Sequence, residues 1–339
     1  MHDVPHWAQN HHTAGLQRYA PPGVEVTTAS YHEYSRAPQG RIDGFDAVYV
    51  VSLALSASRA VGTRLVANVA SHAWLYPRLD ERDWRTRGVN PQRCARLGRE
   101  QLRRLDAVVC RNRELGRWAS KHNRSVAVIP AGVDTAVFRP LPPRRNRRLR
   151  VGWCGQLGGL SCFKGHDEVL APLRARLPAY DWSVNARDFR NAYCAAKMAD
   201  WYRSLDVFLT TACNEGTPNP PFEAAACGAV VVATDVGQLS DWRELRDAGL
   251  VVPAYRNAEG AEAAIEAFAS KLNTLEDERL RLPLRERLIA SVRAEYDYRT
   301  IAPRTVDFIL EGGGNGCGAK GATRAKGDGG AENTGADGR

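Results

Sequence analysis

The sequence predicts an α/β protein of two doubly wound, parallel-sheet domains facing across a cleft, and three observations carry that expectation. The chain has 339 residues, enough for about two domains of roughly 150 each. Short apolar runs alternate with amphipathic stretches, the pattern of units in which a helix crosses between parallel strands. That alternation is interrupted at 141–150 by LPPRRNRRLR, where two prolines and five arginines replace any apolar period.

In the first half Val24–Thr28, Ala47–Ser52, Leu65–Ala70, Ala107–Cys110 and Ser125–Ile129 read as strands. Between them Pro91 opens a helix on which Cys94, Leu97, Gly98, Leu102 and Leu105 recur at helical spacing, and Asn112 caps a helix carrying Leu115 and Trp118. In the second half the strands are Leu149–Cys154, Trp182–Ala186, Val207–Thr211, Val230–Ala233 and Leu250–Val252. Ile265, Phe268, Ala269 and Leu272 fit the i, i+3, i+4, i+7 template, and a further helical stretch runs from about Leu284 to Leu310 with a break expected near Pro303. The expected division is an N-terminal domain over 1–140, a linker over 141–150, a C-terminal domain over 151–295, a helix over 296–310 crossing back to the first domain, and a tail over 311–339. That tail is nearly all Gly, Ala and polar residues, which bury too little apolar surface to offset the entropy of ordering.

Composition excludes several classes. Hydrophobic residues at 44% and charged residues at 25% are those of a folded globular chain. The longest nearly apolar stretch, Ala47 to Ser58, is shorter than the roughly 18 residues of a membrane span. The opening MHDVPHWAQNHH has neither a basic start nor an apolar run, so a cytoplasmic location is expected. Eight cysteines with no C-x-x-C pair and no suitably spaced His read as reduced, mostly buried thiols rather than a metal site. Charge is unevenly placed: residues 1–150 hold 25 Lys and Arg against 12 Asp and Glu, net +13, and the remainder 22 against 26, net −4.

The densest chemical signal is EGTPNPPFEAAACG, residues 215–228, which follows an apolar strand and opens a helix. Pro220 and Pro221 suit a first helical turn, whose N–H groups lack intrahelical partners. The N–H groups of Gly216, Thr217, Asn219 and Phe222, with the positive end of the helix dipole, are expected to form an anion site fit for a phosphate. Glu215 and Glu223, eight positions apart, flank it, and a carboxylate accepting from two adjacent hydroxyls reads a sugar diol.

These residues, the AAACG and VVVATDVG that follow, VIPAGVDTAVFRP at 128–140 and VGWCGQLGGLSCFKGHD at 151–167 together resemble the family 4, "group 1", GT-B glycosyltransferases, in the same order and over about residues 3 to 310. The resemblance implies two Rossmann-like domains, with the nucleotide-sugar donor on the C-terminal one. It implies that Glu223 binds the nucleotide ribose, Glu215 the transferred sugar, and Lys164 the donor pyrophosphate, with Gly155 and Gln156 beside the donor. Lys164 is one of only six lysines against 41 arginines. His72, at the end of a strand, matches a histidine facing the donor sugar from the N-terminal domain. The resemblance further implies transfer of a hexose with retention, usually without a metal, and no cofactor beyond the donor itself.

The sequence departs from the family in two places. Where a second, arginine phosphate clamp is common, this chain has Gln156, or the position is displaced by Gly158–Gly159. The family begins with a strand, whereas only Met1 and His2 precede Asp3. The first strand of the N-terminal domain is therefore expected to be missing or truncated, with the start assigned late or the first sheet weakened. Trp74, Tyr76 and Trp84 line an acceptor platform or pack in the core. Arginines cluster over 78–124, among them Arg82, Arg85, Arg87, Arg93, Arg96, Arg99, Arg103 and Arg104, which points to an anionic or lipid-linked acceptor reached by peripheral contact with a membrane. Two rival functions remain: a GT-B epimerase or glycoside-processing enzyme using Glu215 and Glu223 as acid and base, and a non-catalytic protein that binds an anionic surface or nucleic acid. Nucleic acid is not the expected partner, because no aromatic residues interleave with the basic run 144–150.

Overall fold

A computed structural model of the chain describes residues 8–29, 44–52, 63–75, 84, 98–142, 148–157, 163–187 and 194–311. Four strands, β1 (Ala47–Val50), β2 (Arg64–Val69), β3 (Ala107–Cys110) and β4 (Val126–Val128), lie side by side in sequence order as one parallel sheet. Five more, β5 (Arg150–Gln156), β6 (Asp181–Arg187), β7 (Val207–Thr210), β8 (Val230–Thr234) and β9 (Val251–Val252), form a second parallel sheet in the order β6-β5-β7-β8-β9. Every residue of β3 and of β8 is buried, as a parallel strand covered on both faces requires. In the second sheet β5 has β6 on one side and β7 on the other, so the chain leaves β5 in one direction and returns in the opposite one. A crevice opens at such a reversal, beyond the C-terminal ends of the two strands.

The principal helices are α1 (Ala8–Arg18), α2 (Arg113–Ala119), α3 (Ala195–Arg203), α4 (Pro220–Cys227), α5 (Ala258–Leu275), α6 (Glu278–Ser291) and α7 (Tyr298–Glu311). α2 starts where the sequence places it, because the Asn112 side chain accepts from the Leu115 N–H at 2.9 Å. Ile265, Phe268, Ala269 and Leu272 form one buried stripe of α5. Residues 98–102 are helical and Leu102 is fully buried; Pro91, Cys94 and Leu97 lie outside the described residues. Burial pushes the Cys110 and Cys227 thiols up to about 12, so both stay protonated and inert at neutral pH.

Three expectations are corrected. Val24–Thr28 alternates between half-buried and exposed positions but is irregular, because no neighbouring strand among the described residues supplies its ladder. The break in the C-terminal helical stretch falls at Asp297, with Pro303 inside α7. Its cause is tertiary: Val133 donates to the Tyr296 carbonyl at 2.7 Å and Tyr298 donates back to Val133 at 3.1 Å, while Asp297 caps α7 by accepting from Arg299 N at 2.8 Å. The chain also enters the second domain before 141–150. Val133 and Phe138 belong to its core, Arg203 donates to the carbonyls of Val137 and Arg139, and Arg285 to that of Leu141.

α7 packs against the first sheet, with Ile301 and Ile309 against Val66, Val109 and Ile129. β1 stands at the edge of that sheet among the described residues, and residues 1–7 and 312–339 lie outside them.

Candidate active site

The loops that follow β5 and β7 meet in the crevice of the second sheet. Thr211, just past β7, ties them: its hydroxyl donates to the Lys164 carbonyl at 2.9 Å and accepts from Trp153 Nε1 at 3.0 Å, while Cys213 N donates to Phe163 O at 2.9 Å. Gly165 sits at φ +69°, and a Cβ there would lie 2.1 Å from Thr211 O and 2.2 Å from the Tyr255 hydroxyl. Only glycine lets the backbone turn this tightly, which explains why Lys164 is followed by one. With its backbone so held, Lys164 reaches Glu215 and forms an ion pair with its Oε1. The pair is 28% and 12% exposed, open enough to exchange partners with a ligand.

Glu223 lies one turn into α4 and is buried, and its Oε2 accepts from the Tyr202 hydroxyl at 2.9 Å. Tyr202, fully buried on α3, fixes one carboxylate oxygen. The amides of Gly216, Thr217 and Asn219 find no acceptor among the described residues. Phe222 differs from expectation: Asn219 already has helical φ and ψ, and its carbonyl takes the N–H groups of both Phe222 and Glu223 at 3.1 Å. The Phe222 ring is core, 4.7 Å from that of Trp242 and 4.6 Å from that of Tyr296. Gly155 and Gln156 end β5, with Gly155 buried and Gln156 half-buried; Gly158–Gly159 lie outside the described residues.

From the first domain, His72 opens a short 3₁₀ turn after β2, is 5% exposed, and stands with its Nε2 3.1 Å from Asn112 Nδ2. Asn112 Nδ2 also donates to the Gly216 carbonyl at 3.0 Å, and the Thr217 hydroxyl donates to Ala70 O at 3.2 Å, so the loop beginning at Glu215 rests on the first domain. The two domains are joined further by Gln238, which accepts from Ala131 N at 3.0 Å and donates to Ala131 O at 3.3 Å, and by Asp241, which accepts from Arg113 N at 2.6 Å. Sequence reasoning missed Tyr202, Gln238 and Asp241, since nothing local marks a residue whose partner is remote; it found Asn112 only as a cap. Trp84 packs edge-on against Tyr255 at 6.2 Å. The Trp74 side chain and Tyr76 lie outside the described residues.

A cation, two carboxylates and open amides at the start of a helix can hold a diphosphate together with hydroxylated groups. The same region is similar to known proteins. Residues 167–270 match the family model "Glycosyl transferases group 1". A D-inositol 3-phosphate glycosyltransferase from Paenarthrobacter aurescens is 29% identical over 186 residues, 45% of each chain. A lipopolysaccharide core biosynthesis mannosyltransferase, LpsB, from Rhizobium meliloti is 30% identical over 172 residues, 41% of this chain and 48% of the relative. The chain thus spans about half the length of the curated relatives it matches. Among solved structures, sucrose-phosphate synthase from Thermosynechococcus elongatus superposes with a TM-score of 0.63 at 16% identity, over 83% of this chain and 76% of that one. Anabaena HepE in complex with UDP superposes with 0.56 at 14%, over 78% and 79%. These likenesses show the fold, two Rossmann-like domains in the GT-B arrangement.

Proposed function

We propose, from the premise that this chain is a GT-B protein carrying a group 1 glycosyltransferase domain in its C-terminal half, that it moves a hexose from a nucleoside-diphosphate sugar to an acceptor, with retention and without a metal or other cofactor. The observation that carries this reading is the Lys164–Glu215 pair at the mouth of α4, in the crevice where the strand order reverses. Lys164 and the open amides of Gly216, Thr217 and Asn219 offset the charge of the departing diphosphate. Glu215, released from Lys164 as the phosphates arrive, accepts from hydroxyls of the transferred sugar. Glu223, steadied by Tyr202, accepts from the ribose. His72 faces the sugar from the first domain. HepE was solved with UDP and with UDP-glucose, which supports a nucleoside-diphosphate donor.

The test is to incubate the chain with UDP-, GDP-, ADP- and TDP-sugars and to follow nucleoside diphosphate. Release only when an acceptor is added supports a transferase; acceptor-independent change of the sugar supports the epimerase reading. Glu223→Ala should weaken nucleoside-diphosphate binding by about 10–100-fold, the loss of a hydrogen bond to a charged group. Titration calorimetry reads this directly, and unchanged affinity removes Glu223 from the ribose site.

For the acceptor, the reading is an anionic or lipid-linked molecule met in the cytoplasm at the membrane face. The names of the relatives, a D-inositol 3-phosphate glycosyltransferase and a lipopolysaccharide core mannosyltransferase, support it. So does a basic surface on the first domain, where Arg99, Arg103, Arg104, Arg117, Lys121 and Arg124 are all exposed. Their crowding registers at His122, whose pKa burial lowers first and Arg103, Arg99 and Lys121 lower further. Arg82, Arg85, Arg87, Arg93 and Arg96 lie outside the described residues. No helix among the described residues is long and apolar enough to cross a membrane. The chain should therefore sediment with anionic vesicles at low salt and be released at high salt, at about 1 kcal/mol per basic residue near the surface. Absence of binding at low salt leaves only soluble acceptors.

A further inference from the structure

Asn112 makes more contacts than a helix cap needs. Its Oδ1 accepts from Leu115 N at 2.9 Å, and its Nδ2 lies 3.0 Å from Gly216 O, a residue 104 positions away, and 3.1 Å from His72 Nε2. The side chain is 1% exposed, so no water competes for these contacts. Two of the three partners fix which end of the amide is which. A backbone N–H only donates and a carbonyl only accepts, so the oxygen must face Leu115 and the NH₂ must face Gly216. The remaining hydrogen of the NH₂ then points at His72 Nε2, which has to accept it. A neutral imidazole accepting at Nε2 carries its proton on Nδ1. Glu114, whose Oε2 is 3.7 Å from the same Nε2, is beyond hydrogen-bond length and more than half exposed.

We infer that Asn112 is a positioning residue: it holds His72 as the Nδ1–H tautomer and clasps the loop beginning at Glu215, so that closing the cleft sets His72 and Glu215 in one frame. The His72 contact lies within the first domain and holds whether the cleft is open or closed. The Gly216 contact forms only when the domains meet. The functional meaning of this arrangement rests on the transferase reading above, but the tautomer does not.

Asn112→Ser separates the roles, because serine keeps a capping oxygen and loses both amide hydrogens. The full chain, with ¹⁵N-labelled histidine, is read by NMR, with the His72 signals identified by their loss in His72→Asn. The wild type should show Nδ1 protonated and Nε2 unprotonated, and Asn112→Ser should lose that fixed pattern. In steady-state kinetics Asn112→Ser should lower kcat by about 10–100-fold with the donor KM within a few-fold, as misplacement of a reacting group does. Its Tm should stay near the wild type, while Asn112→Ala, which also loses the cap, should melt lower. A wild-type His72 protonated at Nε2, or an Asn112→Ser variant with wild-type kcat, overturns the inference. If no donor supports transfer, the transferase reading fails and the NMR pattern still decides the tautomer.

Discussion

Glu215→Ala and Lys164→Ala should each lose about 10²–10³ in turnover while the protein stays folded, the usual effect of deleting one preorganised electrostatic contact at a transition state. The two residues come from loops after different strands and meet because Thr211 and Gly165 hold the Lys164 backbone against the end of β7. With side chains 28% and 12% exposed, neither leaves a fully buried charge behind when the other is removed, so the stability cost should be small. The double variant should be little worse than either single one, since the two side chains form one ion pair and act as a unit. Steady-state rates of nucleoside-diphosphate release, measured beside thermal melts, decide this. Wild-type turnover in both single variants would remove the pair from the site.

Gly216→Ala should cut turnover by about 10² while the second domain still binds nucleoside diphosphate within a few-fold of wild type. A Cβ at Gly216 would lie 1.8 Å from the Ala70 carbonyl oxygen and 3.0 Å from Ser71 Cα, all backbone atoms of the first domain. Ordinary contact needs roughly 3.5 Å, so the loop and the first domain have to part by well over an ångström. Gly216 is not among the glycines with positive φ, so alanine adds no strain within its own domain. The loss should therefore appear in turnover, with nucleotide affinity read by calorimetry as the control. A variant with normal turnover would show that transfer does not need this approach of the domains.

Much of the fold is legible in the residues alone. β3 and β8 are marked by unbroken apolar runs, since a parallel strand buried on two faces cannot alternate, whereas β1 alternates and β6 is half-exposed along its length. Asn112 was visible as a cap because its partner, Leu115, is three residues away. The stretch 215–228 stands out as a candidate site because two prolines, two carboxylates and a helix start lie within one loop and one turn. Val24–Thr28 shows the limit: it has the alternation of a strand, and whether a segment joins a ladder depends on a neighbour that its own residues do not encode.

The sequence by itself determined the two α/β halves and marked the candidate loop with the residue types proposed for a diphosphate sugar, because each follows from periodicities and spacings of fewer than about a dozen residues. Tertiary structure alone decided the rest. It turned Phe222 into a core ring against Trp242 and Tyr296, broke the last helix at Asp297 where Val133 pairs with it, and gave Glu223 its tyrosine from another helix. It also placed Asn112 between His72 and Gly216. In each case the deciding partner lies about 20 to more than 160 residues away, a separation at which local propensity says nothing and only the packing of the two sheets brings the groups within hydrogen-bond or van der Waals reach.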